Sequence, residues 1–179
     1  WFSLDPEPGI AHSDELHWTA WENNWNYMCA DCHSTGVRKR YDATTHQFRT
    51  TFAEVSVGCE ACHGPGSRHV SWAGYPGWAR RVVRPDNGLA AQLTERRGVR
   101  WSIVPGAPVA TRSAPRQTDR EIETCAPCHS RRVQVADGYT AGAKWLDFYD
   151  PSLLVSGLYH VDGQQQDEVF IYGSFLQSR

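Results

Sequence analysis

Aliphatic side chains are scarce in this chain. Ile, Leu, Val and Phe together number 33 of 179 residues, or 18%, below the share from which a domain of this length ordinarily builds its core. Lysine and methionine are nearly missing, with two Lys and one Met. No apolar run approaches the roughly 20 residues of a membrane span, which excludes a transmembrane helix. Neither charge dominates: 18 basic and 20 acidic residues leave a net charge of −2, so the chain is neither a polycation nor an acidic tail. Low net charge and 21 aromatic residues also argue against disorder, the usual companion of so few aliphatics. There is no initiator Met and no signal peptide, so a mature protein or a piece of one is expected. The length fits a single domain over 1–179. Something other than Leu and Ile must fill its middle.

The six cysteines supply that something. All fall in one pattern used three times: Cys29-Ala30-Asp31-Cys32-His33, Cys59-Glu60-Ala61-Cys62-His63 and Cys125-Ala126-Pro127-Cys128-His129. C-x-x-C-H is the attachment site of c-type haem. One turn of chain carries Cys29 and Cys32, Cys59 and Cys62, or Cys125 and Cys128 to the two vinyl groups on one porphyrin edge. The next residue (His33, His63 or His129) brings its imidazole under the iron. A zinc ribbon needs two C-x-x-C pairs per metal, and three pairs leave one stranded. A thioredoxin-like site needs a βαβ frame that is absent. A disulfide framework has no reason to place His after each pair. With eight His in 179 residues, three chance placements have a probability of roughly 10⁻⁴, before Cys pairing is counted. Three covalent haems are therefore expected, attached outside the cytoplasm, which implies a periplasmic or extracellular protein. Three large apolar discs would replace the missing aliphatic core. Arg outnumbers Lys 16 to 2. Guanidinium pairs well with haem propionates, and a GC-rich genome would give the same ratio.

Along the chain, residues 13–33 read as a helix capped by Ser13, with Asp14 and Glu15 in its first turn. Trp18, Trp21, Trp25 and Met28 recur on it at helical spacing, a stripe that suits a core or a haem face. Gly36 is a plausible stop. Val37–Tyr41 and His46–Phe52 read as a hairpin turning at Asp42-Ala43-Thr44-Thr45. The Gly64-Pro65-Gly66 after the second motif has no P-loop frame, and is expected to let the chain turn closely around a porphyrin edge. Residues 73–118 form an Arg- and Pro-rich arm without Cys or His. Eight Arg against Asp86 and Glu95 give it a charge of +6 and leave −8 elsewhere. It could clamp propionates, dock an acidic partner or be a solvated loop. Nucleic-acid binding is set aside, because haem attachment puts the chain in the wrong compartment. Leu89–Leu93 and Val99–Val104 are expected to pair within the arm. Asp119 should cap a helix over Arg120–Arg132. Leu153–Val161 and Val169–Phe175 read as strands around the turn signal Asp162-Gly163. The motifs lie 30 and 66 residues apart without a solenoid repeat.

Each iron that only carries electrons needs a sixth ligand. His12, His17, His46, His69 and His160 remain for the purpose. The sole Met, Met28, adjoins Cys29 and cannot easily reach the far face of its own haem, so His on both faces is expected. A neutral imidazole with its second nitrogen held by a carbonyl is the expected form. Two of the five must be bystanders or ligands elsewhere.

The segments Leu16-His17-Trp18, Cys29–Thr35, Val57–Gly66 with His69, Cys125–Arg132, and Tyr159-His160 with Asp162-Gly163-Gln164 resemble a family of multihaem c-type cytochromes. Members of that family are often fused to tetratricopeptide repeats. It is similar to the tetrahaem cytochrome that accepts electrons from hydroxylamine oxidoreductase. The resemblance implies that His17, His69 and His160 are the sixth ligands, while His12 and His46 match no family motif. His69 follows His63 too closely to wrap the same disc, so a neighbouring haem is its expected partner. Relatives usually carry a further C-x-x-C-H upstream, and another shortly after the stretch resembling Tyr172–Ser178. Neither is present here, and a fragment or module of a longer multihaem protein is expected.

The fold class expected is a multihaem cytochrome c: short α-helices, a few small β-hairpins and much irregular chain around three haems. The function expected is electron transfer to other redox proteins or cytochromes, with self-assembly into a larger haem array. An enzyme of nitrogen-oxide or hydroxylamine chemistry is the alternative. That reading requires an open iron face with acid–base groups beside it, and no such constellation stands out in the sequence. A haem sensor finds no positive sign.

Overall fold

The computed structural model describes residues 9–152, 155–166 and 171–177. The chain divides into two compact units, Trp1–Gly58 and Cys59–Arg179. Among the described residues, short helices and three two-stranded antiparallel sheets, one in the first unit and two in the second, are joined by irregular chain, in line with the expected fold class.

In the first unit the long helix expected over 13–33 does not form. From Ala11 to Asn23 the backbone closes a succession of single turns, Asp14 N to Ala11 O, His17 N to Asp14 O, Ala20 N to His17 O and Asn23 N to Ala20 O. The reason lies in side chains that compete for the backbone. The Asp14 carboxylate accepts from the Leu16 amide, the Asn23 amide donates to the Glu15 and His17 carbonyls, and Asn24 Oδ1 accepts from the Tyr27 amide. A π-helical turn over Trp25–Cys29 then runs into α1, Ala30–His33. Gly36 takes the left-handed conformation, φ +65°, that its place after the helix requires. The expected hairpin is present. It opens with the bridge Thr35 to Glu54, continues with Arg38 to Thr51, and ends in β1, Tyr41–Asp42, against β2, Gln47–Phe48. Its turn is tied by Asp42 Oδ1, which accepts from the amides of Thr44 and Thr45.

The second unit begins with three helices: α2, Cys59–His63; α3, Ser67–Ala73; and α4, Gly77–Val83. The arm therefore carries more structure than a solvated loop. Its hairpin is not the expected one. β3, Trp101–Ser102, pairs with β4, Thr111–Arg112, and Leu89–Leu93 is not a strand. The left-handed pair Asn87 and Gly88, φ +52° and +78°, turns that segment, and the Ala91 amide donates to His63 O instead of to a sheet partner. Ion pairs fasten the arm: Arg84 to Asp86, Arg112 and Arg116 to Glu95, Arg116 to Asp119, and Arg96 to Glu121.

α5 covers Arg120–His129, three residues shorter than expected, because Ser130 is already extended at φ −124°, ψ 150°. Asp119 stands at its N-cap without a capping bond from the side chain. β5, Arg132–Gln134, pairs with β6, Tyr149–Pro151. Of the strand expected over Leu153–Val161, residues 153–154 lie outside the described residues, and the rest forms turns with two isolated bridges, Ser156 to Tyr159 and Tyr159 to Gln165. The strand expected over Val169–Phe175 is also corrected. Residues 169–170 lie outside the described residues, and Tyr172–Gln177 is helix α6. Packing overrides strand propensity there: the Tyr159 ring covers Gly173, where an added Cβ would fall 2.9 Å from Cε1, and Tyr172 meets Trp145 at 4.8 Å. The Asp162-Gly163 turn is present, with Gly163 at φ +83°. A core of Ala126, Trp145 and Tyr149, flanked by Tyr139, Phe148 and Tyr172, joins these pieces.

Candidate functional site

Every C-x-x-C-H motif lies on helical turns that end at its His: Trp25–Cys29 with α1, α2 alone, and the last half of α5. Helical spacing puts positions i, i+3 and i+4, the two Cys and the His, on one face. In the first and third motifs the intervening residues turn the other way, while in the second Glu60 is exposed and Ala61 half-buried. Ala30 is 0% exposed and Ala126 is 1% exposed, the Asp31 side chain is buried, and Pro127 is buried. The cysteine face is correspondingly open: Cys59, Cys62 and Cys125 are exposed, and Cys29, Cys32 and Cys128 are half-buried. His33 and His129 are exposed and His63 is half-buried.

Different devices hold the three helices. In the first, Asp31 pairs with Lys39 at 2.9 Å, both side chains buried, and Lys39 also donates to Tyr27 O. Thr35, two residues past His33, donates its hydroxyl to Ser56 O and accepts from the Gly58 amide. In the second, Glu60 Oε1 accepts from the Gly66 amide at 2.6 Å and brackets the Gly-Pro-Gly turn. Gly64, φ +71°, sits where an added Cβ would lie 2.8 Å from Ala90 Cβ and 3.1 Å from Ala141 O. At this glycine the turn runs close against Ala90 and Ala141. In the third, Pro127 cannot donate to Glu123 O, four residues back, and the Tyr139 hydroxyl donates there instead at 2.8 Å. Arg132 gives two N–H groups to Pro127 O, at 3.0 and 2.8 Å, and Ser130 Oγ donates to Ala126 O, so the end of the helix is satisfied.

Burial, and then the charge of Cys32, pushes the Cys29 thiol up; burial, then Glu121 and Cys62, pushes up Cys125, with Arg96 opposing. Cys62 of the second motif is thus close enough to influence Cys125 of the third. Burial pushes the Tyr139 phenol up to about 12.

The surplus histidines fall into distinct settings. His69, half-buried on α3, has Nδ1 2.8 Å from Asn87 O, and its ring stacks on Trp72 at 5.4 Å. His63 Nδ1 lies 3.3 Å from Ala91 O. Both rings thus donate from Nδ1 and leave the Nε2 lone pair open, the form of a metal-ligating imidazole. His17 accepts from the Thr19 amide at 3.2 Å and lies 5.5 Å from the His12 ring. His46, at φ +53°, meets the Tyr41 hydroxyl at 3.0 Å. His160 is exposed, on a turn closed by its own amide to Gln164 O at 2.7 Å. Among the described residues no three of His, Cys, Asp and Glu converge on a metal site of their own.

The surroundings of the motifs suit a large apolar ligand. Trp18 and Trp21 are 76% and 73% exposed, and Met28, next to Cys29, is 50% exposed. Three members of the stripe are thus uncovered, while Trp25 is half-buried and meets Phe52 edge-on at 5.8 Å. Two buried polar atoms beside motifs, Ser34 Oγ after His33 and Trp145 Nε1 packed on Ala126, have no partner. Thiols at vinyl spacing, an imidazole beside them and uncovered apolar surface together fit haem c.

The Asn87 and Ala91 carbonyls are the functional groups that sequence reasoning missed. Their only trace was Asn87-Gly88, a turn signal.

Residues 7–64 match the family model described as cytochrome c554 and c-prime. The match takes in the first two motifs, about a third of the chain, and supports a c-type cytochrome with covalently bound haem c and electron transfer as its general function. No curated protein and no solved structure matches the chain. No helix among the described residues is long and apolar enough to cross a membrane.

Proposed function

We propose that this c-type cytochrome is a trihaem electron carrier of the periplasm or cell exterior. The observation that carries the reading is the threefold C-x-x-C-H motif, each copy lying on helical turns that end at its His. Cys29 and Cys32, Cys59 and Cys62, and Cys125 and Cys128 hold the three groups through thioethers. His33, His63 and His129 are the proximal ligands, and His17, His69 and His160 serve the far faces. Haem c, when bound, supplies a one-electron ferric–ferrous couple. The chain's part is to fix imidazole orientation and to cover the porphyrin faces with Trp and Tyr. The Asn87 and Ala91 carbonyls keep the protons of His69 and His63 on Nδ1. Other redox proteins or further copies of this chain are the partners, since the +6 arm and the −8 remainder can attract one another between molecules.

Intact mass should show three haem additions, and electron paramagnetic resonance of the oxidised protein should show low-spin iron throughout. Changing His17, His69 or His160 to Ala should turn one haem high-spin in each case with attachment intact, and His46→Ala should leave the spectrum alone. A native high-spin fraction that binds nitrite or carbon monoxide would favour the oxidoreductase reading. Fewer than three haem additions would overturn the haem count.

A further inference from the structure

The two imidazoles with carbonyl partners are served by one short segment, Asp86–Gln92. His69 reaches Asn87 O at 2.8 Å and His63 reaches Ala91 O at 3.3 Å, while the Ala91 amide returns to His63 O at 3.1 Å. The segment is tied to itself. The Gln92 side-chain amide donates to Asp86 O and Asn87 Oδ1 at 2.6 Å each and to Leu89 O at 3.3 Å. The amides of Gly88 and Leu89 bond to Asp86 Oδ1 and Asn87 Oδ1. It is also pressed against its clients. An added Cβ at Gly88 would lie 2.7 Å from Arg68 O and 2.9 Å from His69 N, and one at Gly64 would lie 2.8 Å from Ala90 Cβ. Arg120 of α5 anchors the middle through Ala90 O at 3.0 Å. A loop closed on itself and seated on two ligand backbones moves as one piece.

We infer that Asp86–Gln92 is a shared positioning strap: it sets the ring orientation and Nδ1–H bond of His63 and His69 together, so that the two irons they serve are tuned jointly. A bond from Nδ1–H to a carbonyl raises the basicity of the ligating nitrogen and fixes its ring. Displacing the strap therefore alters the ligand field at two irons and leaves the third untouched. The inference rests on the haem reading above, and adds to it that the second-motif iron and the His69 iron are coupled through protein rather than independently set.

The test uses the full holoprotein with potentiometry and electron paramagnetic resonance. Gln92→Leu removes the three internal ties without steric insult, and Gly88→Ala pushes the strap off the His69 backbone. Gly98→Ala is the control: Gly98 has φ +73° with nothing within 4 Å, so it carries the same backbone strain away from both histidines. With three haems attached by mass, both strap variants should shift the low-spin signals of two haems. They should also change the reduced-to-oxidised ratio at fixed potential by up to about tenfold, or about 59 mV for one electron. The control should shift none. Shifts in one haem alone, in all three alike, or in none would overturn the strap. A wild-type protein lacking three low-spin haems would instead overturn the reading beneath it.

Discussion

In the unit ending at Gly58, the buried residues among those described are Ala30, Ser34 and Thr35; the unit beginning at Cys59 buries Ile122, Trp145, Tyr149 and Tyr159. The first motif is held by a lattice of polar groups: Lys39 on Asp31, Asn26 on Thr50, and Thr35 on Ser56 and Gly58. The third is held by packed rings, Trp145 stacked on Tyr149 at 6.0 Å and tilted against Tyr172 at 4.8 Å. Each buried aromatic removes about 150–250 Å² from water, worth roughly 4–6 kcal/mol before entropy is charged. Net hydrogen bonds contribute about 1 kcal/mol each. One attachment motif can thus be positioned by directional bonds or by hydrophobic mass. Of the two, the hydrophobic kind is expected to hold its shape better without a ligand.

The largest test of this difference removes a haem from either side. Cys29→Ser with Cys32→Ser should cost one haem by mass and bring the amides of residues 9–58 close to unprotected hydrogen exchange. Cys125→Ser with Cys128→Ser should also cost one haem, yet keep the β5–β6 amides and the Trp145 indole protected. Equal loss of protection in both variants would erase the distinction.

Next in size are variants that attack each unit through its own force. Lys39→Met removes the cation paired with the buried Asp31 carboxylate and should cost about 3–5 kcal/mol; adding Asp31→Asn removes the charge itself and should restore most of it. Trp145→Ala should cost a similar 3–5 kcal/mol through its cavity, and no polar partner change should rescue it. Segment-resolved exchange under denaturant gives both numbers. Rescue of Trp145→Ala by a charge change, or failure of the Asp31→Asn rescue, would break the contrast.

The two units also differ in how far their sequences reveal them. The motifs were legible everywhere, because attachment chemistry fixes Cys and His within five residues. The hairpin over residues 35–54 was legible from Asp42–Thr45, whose turn chemistry is local. The helix over 13–33 misled. Trp18, Trp21, Trp25 and Met28 keep a helical interval, but the backbone was claimed by Asp14, Asn23 and Asn24, and the spacing reflects apolar surface that the polypeptide does not cover. In the second unit the errors came from distance. The carbonyls that serve His63 and His69 lie 28 and 18 residues away, and a backbone acceptor has no residue type to read. Val169–Phe175 reads as a strand by composition, yet Tyr172–Gln177 is a helix because Trp145 and Tyr159 pack on it.

The smallest expected effect sharpens the comparison at a single oxygen. In α5, Pro127 withholds the amide that Glu123 O would otherwise receive, and Tyr139 supplies the donor from outside the helix. Tyr139→Phe leaves that carbonyl without its donor and should cost about 1–3 kcal/mol. The cost should depend on pH with a definite sign. An ordinary Tyr titrates near 10, and burial lifts Tyr139 to about 12. Because the folded value is the higher, the stabilisation is complete below about pH 10 and is lost as pH rises through the folded value. The gap in unfolding free energy between wild type and Tyr139→Phe should therefore stay constant from pH 7 to 10 and narrow between 10 and 12. Phenolate absorbance should show one tyrosine ionising near 12 in wild type and missing from the variant. A gap unchanged at pH 12, with no late-titrating phenol, would mean that the helix end is not held by this hydroxyl, and would leave the third motif depending on Arg132 and the ring stack alone.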